Sequence, residues 1–566
     1  FGKAADQLPL YGYTDFAELF TNRQLTALTT FSDLVAEAKK QVSNDAVTAG
    51  IADDHIPLSE GGTGATAYGQ AVGIYLAFAI DRTADFSTSV SRWVPGNEKA
   101  MNLFSKQAIP ITWDYPEVNV LANSVGGFVT ITNFLSKCIE TLFAGAKGVV
   151  EQQDAKVDRG LRSIMVSTDP PYYDNIAYAD LSDFFYVLLR NNLKSTFPDL
   201  CRTMLVPKSE ELVATTYRFQ GEKDTAYRFF EKGMLMSFKR INAYVREDIP
   251  TTVYYAYKQS DCDINNSTTS TGWETMLYAI IRAGFVITGT WPIRSEQRYR
   301  AVGMNTNALA SSIVLVCRKR PADAPLCTRR DFINALKREL KPALQKLQAS
   351  NIAPVDMAQS AIGPGMGVFS RYSRVLEADG TPMSVRSALQ IINQELDLYF
   401  TEQDSDLDRD SHFCLDLYTQ YAFNDMKFGE ADVLARAKNT SVEKLAARGV
   451  LYAQKGVVRL LTREEIPEKV DRGIIWLLMQ QLTRALEKDG IAGAAKIVAD
   501  ILTSEPEHAK ALAYRLFTIA ERKGWAKEAL AYNSLVIAWP EVQSKAAELQ
   551  AQLAGSQQMT LFDVEK

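Results

Sequence analysis

From Asn22 to Val42 the apolar positions Leu25, Leu28, Phe31, Leu34, Val35 and Ala38 recur at helical spacing, which predicts an amphipathic helix. A Gly-rich turn, Glu60-Gly61-Gly62-Thr63-Gly64, precedes a second predicted helix from about Ala67 to Phe86. The pattern changes after about residue 145. Val149–Asp154 reads as a short strand ending in an acid, and Ser163–Thr168 as a buried strand ending at Asp169. Pro250–Tyr257 is β-branched and aromatic, hence another strand. A helix from Trp273 to Arg282, capped by Thr271 and stopped by Gly284, leads into strands at Phe285–Thr290 and Ser312–Cys317. Strands alternating with helices indicate an α/β sheet.

Residues 328–425 read as helical, interrupted by a Gly/Pro loop over Ala361–Gly367. Glu430–Leu461 suggests two short helices and a hairpin, Val450–Tyr452 and Val457–Arg459 around Gln454-Lys455-Gly456, which fits a winged-helix-like module. From about Arg472 the chain is helical, with a single tetratricopeptide-like pair near Leu512–Pro540, and Gly555–Lys566 reads as a loose tail. The segments are then 1–145, mostly helical and a candidate DNA- or target-contacting insertion; 146–330, the α/β part; 331–428, a helical extension; and 429–566, winged-helix-like then helical.

Length changes little: 566 residues require several domains. The apolar share of 46% and charged share of 23% are those of an ordinary globular chain, and no apolar run reaches the length of a membrane span. No basic start followed by an apolar stretch marks a secretory leader, so the expectation is a cytoplasmic protein without a membrane partner. The net charge of −5 argues against a general coat for nucleic acid but not against an enzyme gripping DNA in one groove. Six scattered cysteines without a CxxC pair suit a reducing compartment and predict no metal site. With only His55, His412 and His508, histidine-based acid–base chemistry and a multi-histidine metal site are not expected.

Chemistry concentrates in Asp169-Pro170-Pro171-Tyr172, directly after a predicted strand. In open α/β sheets, sites form at the carboxyl ends of strands. An exocyclic base amine is a poor nucleophile, because its lone pair is delocalised into the ring. The Asp169 carboxylate and the Pro170 carbonyl can accept its two N–H groups and draw the nitrogen towards tetrahedral geometry. Successive prolines fix φ and remove competing donors, so Pro170 and Pro171 present those acceptors in a rigid frame. Tyr172 offers a face on which an extruded base stacks, worth roughly 1–3 kcal/mol against an extrusion cost of a few kcal/mol. A proline-rich turn without chemistry is the alternative reading.

The run Ser167-Thr168-Asp169-Pro170-Pro171-Tyr172-Tyr173-Asp174-Asn175-Ile176-Ala177-Tyr178, continued to Tyr186, resembles the large adenine-specific DNA methylase family that carries a zinc ribbon and is often linked to bacterial defence. Leu25–Leu34, Leu205–Lys208, Ser270–Met276, Asn307–Ser312, Ile352–Asp356 and Ala435–Thr440 extend the resemblance over nearly the whole chain. It implies a Rossmann-like methyltransferase sheet closed by an antiparallel hairpin from Phe285–Thr290 and Ser312–Cys317. It implies S-adenosyl-L-methionine as cofactor and double-stranded DNA with a flipped adenine as substrate. Asp169, Pro170, Pro171 and Tyr172 would form the catalytic loop, with Tyr173 and Tyr178 helping to cover the base. Asp154 would sit near the cofactor's adenine, with a strand-end turn as its other reading.

The family's Gly-rich cofactor loop and zinc ribbon have no counterpart in this sequence. The expectation is therefore a partial sheet: the carboxy-terminal part of a longer protein, or one half of a split one, with other defence-system proteins as partners. Gly363-Pro364-Gly365-Met366-Gly367 is the only internal substitute for the cofactor loop, and a structural loop is its other reading. Arg92, Trp93, Lys99 and Lys106 could line a DNA groove or be ordinary surface and core. Lys208, Arg218 and Lys223 could touch phosphates or be ordinary charged surface. Phe184, Phe185, Val187 and Leu188 form a stripe expected in the core. Besides adenine methylation, two functions stay open: methylation of another planar amine such as that of cytosine, and a non-catalytic DNA-binding or assembly role in a defence system.

Overall fold

The computed structural model describes residues 8–562 apart from 106–107, 143–144, 146–147, 174–175, 256–270, 295–310, 404–406 and 469–472. Lys106, Asp174, Asn175, Tyr257, Ser270 and the run from Asn307 to Ala310 therefore lie outside the described residues. The chain divides into two compact units: Phe1–Val157 with Pro171–Gly233, and Asp158–Pro170 with Met234–Lys566.

The first unit is built on α1 (Asn22–Thr48) and α2 (Ala65–Phe86). Thr21 starts α1 with a reciprocal cap. Its Oγ1 accepts from the Gln24 N–H at 3.2 Å, and the Gln24 side chain accepts from the Thr21 N–H at 2.8 Å. A short hairpin, β1 (Arg92–Val94) with β2 (Lys99–Met101), and α3 (Phe128–Thr141) follow. Next come α4 (Tyr178–Leu193) and α5 (Lys223–Tyr244), the latter crossing the boundary between units. The core gathers Leu19, Leu28, Val35, Ile80, Ala84, Val90 and Leu103 around Phe184 of α4. The rings of Phe16, Phe20, Phe104 and Phe185 lie within 5.8 Å of the Phe184 ring. Phe184 is thus core as the stripe predicts, while Val187 is 54% exposed. Polar contacts fasten α4 to α1: Asn191 Nδ2 donates to Ser32 Oγ at 2.9 Å, and Lys39 Nζ to the Asn192 carbonyl at 2.9 Å.

The predicted strand Val149–Asp154 does not form. Val149 and Val150 are 78% and 99% exposed, and the polar run Glu151-Gln152-Gln153 supplies no apolar face to bury against a sheet.

The second unit contains a four-stranded sheet in the order β3-β4-β6-β5: β3 (Ser167–Thr168), β4 (Thr251–Tyr255), β5 (Phe285–Arg294) and β6 (Ser311–Lys319). β3 runs parallel to β4, and β6 runs antiparallel to both β4 and β5. Ile313 to Cys317 are buried along β6, as a strand flanked on both sides requires. The predicted hairpin is present and longer than expected. β3 is shorter than expected. Ser163 has φ +57°, so the strand breaks early, and only an isolated bridge from Ile164 to Val245 precedes Ser167. Helix α6 (Thr271–Arg282) ends before Gly284, whose φ of +93° suits glycine, and Trp273 stacks on Tyr255 at 5.3 Å.

Beyond the sheet, β7 (Leu326–Thr328), α7 (Arg329–Ala349), α8 (Pro354–Ser370), β8 (Arg374–Leu376) and α9 (Val385–Gln403) form a helical layer, with α8 lying along β5. The expected Gly/Pro loop over Ala361–Gly367 is part of α8. Pro364 has no N–H for the Ser360 carbonyl four residues earlier, and Thr290 Oγ1 of β5 donates to that carbonyl at 3.0 Å instead. Gly363 makes this approach feasible, because a Cβ there would collide with the Thr290 side chain. Cβ atoms at Gly365 and Gly367 would come within 2.7 Å of Ile392 and 3.0 Å of the Ile287 carbonyl. The breakers are accommodated by tertiary contacts that a local pattern does not show.

The last part runs α10 (Arg409–Tyr421), β9 (Met426–Lys427), α11 (Phe428–Ala437), α12 (Val442–Ala447), β10 (Leu451–Gln454) and β11 (Val457–Leu460), with sheet order β10-β11-β9. Then α13 (Ile475–Ala499), α14 (Glu505–Arg522) and α15 (Ala526–Phe562) pack together. The residues from Gly555 to Phe562, expected as a loose tail, continue α15. Arg463 is buried here, its guanidinium held by Glu528 at 2.7 and 2.9 Å. Among the described residues, no helix is long and apolar enough to cross a membrane.

Candidate functional site

The boundary between the units falls inside the predicted catalytic tetrapeptide, after Pro170. On the second unit's side, the strand leading to Asp169 is pinned from two neighbours. The Ile164 N–H donates to the Tyr244 carbonyl at 3.1 Å, and the Arg246 N–H donates to the Ile164 carbonyl at 3.1 Å. The Thr252 N–H donates to the Val166 carbonyl at 3.1 Å, and Thr252 Oγ1 donates to Ser167 Oγ at 2.9 Å. Asp169 follows the carboxyl end of β3 and is exposed, whereas Pro170 is buried. A buried, φ-restricted proline directly after the acid anchors the turn and leaves the acid at the surface.

On the first unit's side, Pro171, Tyr172 and Tyr173 are half-buried. The Tyr173 carbonyl accepts from the Ala214 N–H at 2.7 Å, and its ring meets the buried Phe230 ring edge-on at 5.3 Å. Tyr178 opens α4 and is 44% exposed. The Ala179 N–H in the first turn of that helix donates to Glu211 Oε1 at 3.0 Å.

Two acids of α4 make contacts that the sequence reading missed. Asp183 accepts Lys208 Nζ at 2.7 Å and the Val206 N–H at 2.9 Å. Asp180 accepts Arg218 at 3.0 Å and also the Tyr217 hydroxyl. Glu211 takes a second guanidinium contact from Arg218 at 2.7 Å. Burial opposes the Arg218 charge, but hydrogen bonds to Asp180 and Glu211 outweigh it and raise the group above its ordinary range. Lys208 and Arg218 are thus turned onto carboxylates inside the unit, with side chains only 18% and 14% exposed. The available signal was the pair of acids three residues apart on the helix after the loop, facing two later cations. Lys223 stays on the surface at the start of α5.

Asp154 lies in the first unit, in a turn. Its Oδ1 accepts from the Lys156 N–H at 2.9 Å, and Lys156 Nζ stands 3.4 Å from Oδ2. Trp93 is 48% exposed on β1 beside exposed Arg92, with Lys99 on β2. Gly363 to Gly367 are helical and packed against β5 and α9, so these residues do not fit a nucleotide-binding glycine turn. Among the described residues, no cluster of His, Cys, Asp or Glu is placed to hold a metal ion.

Comparison with known proteins adds one match. The family described as a domain of unknown function (DUF8807) matches residues 408–561, from α10 into α15. No curated protein and no solved structure matches the chain.

Proposed function

We propose that this chain carries the target-base half of an S-adenosylmethionine-dependent DNA adenine methyltransferase of the defence-associated kind, with Asp169-Pro170-Pro171-Tyr172 as the catalytic loop. The observation that carries the reading is a proline-clamped acid, exposed at the carboxyl end of a strand whose sheet is closed by an antiparallel pair. The strand order β3-β4-β6-β5 fits one half of a Rossmann-like methyltransferase sheet, with the hairpin where the family resemblance expects it.

In this reading the Asp169 carboxylate and the Pro170 carbonyl accept the two N–H groups of an extruded adenine. Localising the lone pair on the amine makes it nucleophilic, and Asp169 takes the proton that the nitrogen sheds. Tyr172 stacks on the base. The family resemblance gives Tyr173 and Tyr178 as further cover for the base. S-adenosylmethionine supplies the methyl group when bound. Asp154 is engaged in its own turn, which favours the turn role over a cofactor contact.

The test is methyl transfer to double-stranded DNA by the natural reading frame that contains these residues, with nucleoside analysis of the product. Wild type should yield N6-methyladenine, and Asp169→Ala should lose roughly 10²-fold or more of that rate, because the acceptor acts in the transition state. Methylated cytosine would move the substrate to the alternative amine. Unchanged methylation in Asp169→Ala would end the proposal.

A further inference from the structure

The segment from α10 to β11 carries an inference independent of the methyl-transfer reading. Its order is helix, strand, helix, helix and hairpin, and its last strand, β11, lies between β10 and β9. Helices α11 and α12 are joined by the short turn Lys438-Asn439-Thr440-Ser441. This is the helix-turn-helix arrangement with a β-hairpin appended as a wing. Val442 and Leu445 of α12 are buried, while Glu443, Lys444 and Ala447 are exposed, so the helix presents one polar face outward.

That face is held in a fixed attitude by one buried acid. Asp410 of α10 accepts Thr440 Oγ1 from the turn, Lys444 Nζ at 2.9 Å and Arg448 at 3.3 Å. Burial disfavours its charge, but these partners outweigh burial and hold its carboxyl below the usual range. The Lys444 side chain remains 55% exposed.

The hairpin adds a second, separate observation. Lys455 and Gly456 form its tip, with φ of +54° and +78°. Both values suit a two-residue turn in which Asn or Gly would sit comfortably in the first position. Lysine occupies the unfavourable left-handed conformation there and is exposed. The two-residue turn imposes this φ, and it sets the Lys455 cation at the exposed tip of the hairpin. Charge points the same way. Residues 409–460 hold eight Lys or Arg against six Asp or Glu, a local excess of positive charge in a chain whose net charge is −5.

We propose that residues 409–460 are a winged helix that docks on duplex DNA, with the outward face of α12 entering the major groove and Lys455 at the wing tip contacting a flanking phosphate. Phosphate contacts set the position and the salt dependence, while Glu443 and Ala447 on the exposed face of α12 stand where base edges are met, Lys444 being held by Asp410. This assigns a nucleic-acid surface to the proximal part of the DUF8807 match, about which that family description states nothing.

The experiment measures binding of the full chain to a ~20-bp duplex by fluorescence anisotropy across a salt series, with no methyl donor present. Two variants change exposed positions. Lys455→Asn removes the charge and eases the turn. Ala447→Glu places a carboxylate on the exposed face of α12. Lys455→Asn should lower the slope of log affinity against log salt by about 1 and weaken binding several-fold, while raising the thermal midpoint. Ala447→Glu should weaken binding by about tenfold or more. If both variants keep native circular dichroism and bind the duplex with unchanged affinity and salt slope, the assignment is wrong. Wild-type binding confined to single strands or to protein would also overturn it. Failure of the methylation test leaves this result untouched, since affinity is read without catalysis.

Discussion

Gly363→Ala separates the two readings of the Gly363–Gly367 run. In a cofactor loop, the extra methyl would obstruct a nucleotide and spare the fold. In α8 it collides with the Oγ1 and Cγ2 atoms of Thr290 and lies 2.6 Å from its Cβ. Thr290 is 9% exposed and β-branched, so it has little freedom to turn away. Turning would also break its 3.0 Å bond to the Ser360 carbonyl, which Pro364 has already deprived of a helical donor. Overpacking costs about 1–3 kcal/mol, and the orphaned buried carbonyl about 1–3 kcal/mol. Replacing glycine by alanine in a helix returns about 1 kcal/mol. The net expectation is a loss of about 3 kcal/mol, read as a lower urea midpoint at unchanged m. Thr290→Ala removes the two nearer atoms and leaves only the Cβ contact, so the double variant should be more stable than the sum of the single effects by about 1 kcal/mol. A Gly363→Ala protein as stable as wild type, or one that loses S-adenosylmethionine binding with its stability intact, would refute the packing argument.

Asp81 of α2 is buried, its Oδ1 has no hydrogen-bond partner among the described residues, and burial pushes its carboxyl up to about 8. With the folded value above the unfolded one, the native state holds a proton that the unfolded chain releases. Stability should therefore fall as pH rises from about 4 to about 8, by up to about 1.4 kcal/mol per unit. Asp81→Asn should flatten urea midpoints measured between pH 5 and 8, and an equal slope in both proteins would contradict the assignment. Lys208→Ala should leave the salt slope of DNA binding unchanged while destabilising the protein by about 3 kcal/mol, because it strands buried Asp183. A lowered slope with normal stability would restore Lys208 to the phosphates.

How much of the fold is legible depends on whether its cause is local. Helix α1 is readable because Leu28 and Val35 repeat at helical spacing and both end in the core. The β5–β6 pair is readable because β6 is a continuous apolar run, buried from Ile313 to Cys317, and β5 opens with Phe285 and Ile287 buried on alternate positions. Helix α8 is not readable, since Gly363 and Pro364 break helices unless another element compensates, and the compensating hydroxyl belongs to Thr290, 70 residues away in sequence. Val149–Asp154 fails for the opposite reason: two valines imitate a strand start, but among the described residues no partner strand pairs with them.

The same distinction divides the two candidate sites. The stiffness of Asp169-Pro170-Pro171-Tyr172 is covalent: proline fixes its own φ whatever surrounds it, so the sequence alone supports an argument about presented acceptors. The role of a lysine is not covalent. Lys208 and Lys455 are chemically identical, yet one meets Asp183 at 2.7 Å and the other stands exposed on a strained turn. Charge counted along the chain treats them alike, whereas an acid on a neighbouring helix pairs with the first, and nothing comparable faces the second among the described residues. For the proposed winged helix the cation that matters is therefore one that the fold leaves outward, and Lys455 at the tip of the hairpin beside α12 is such a cation.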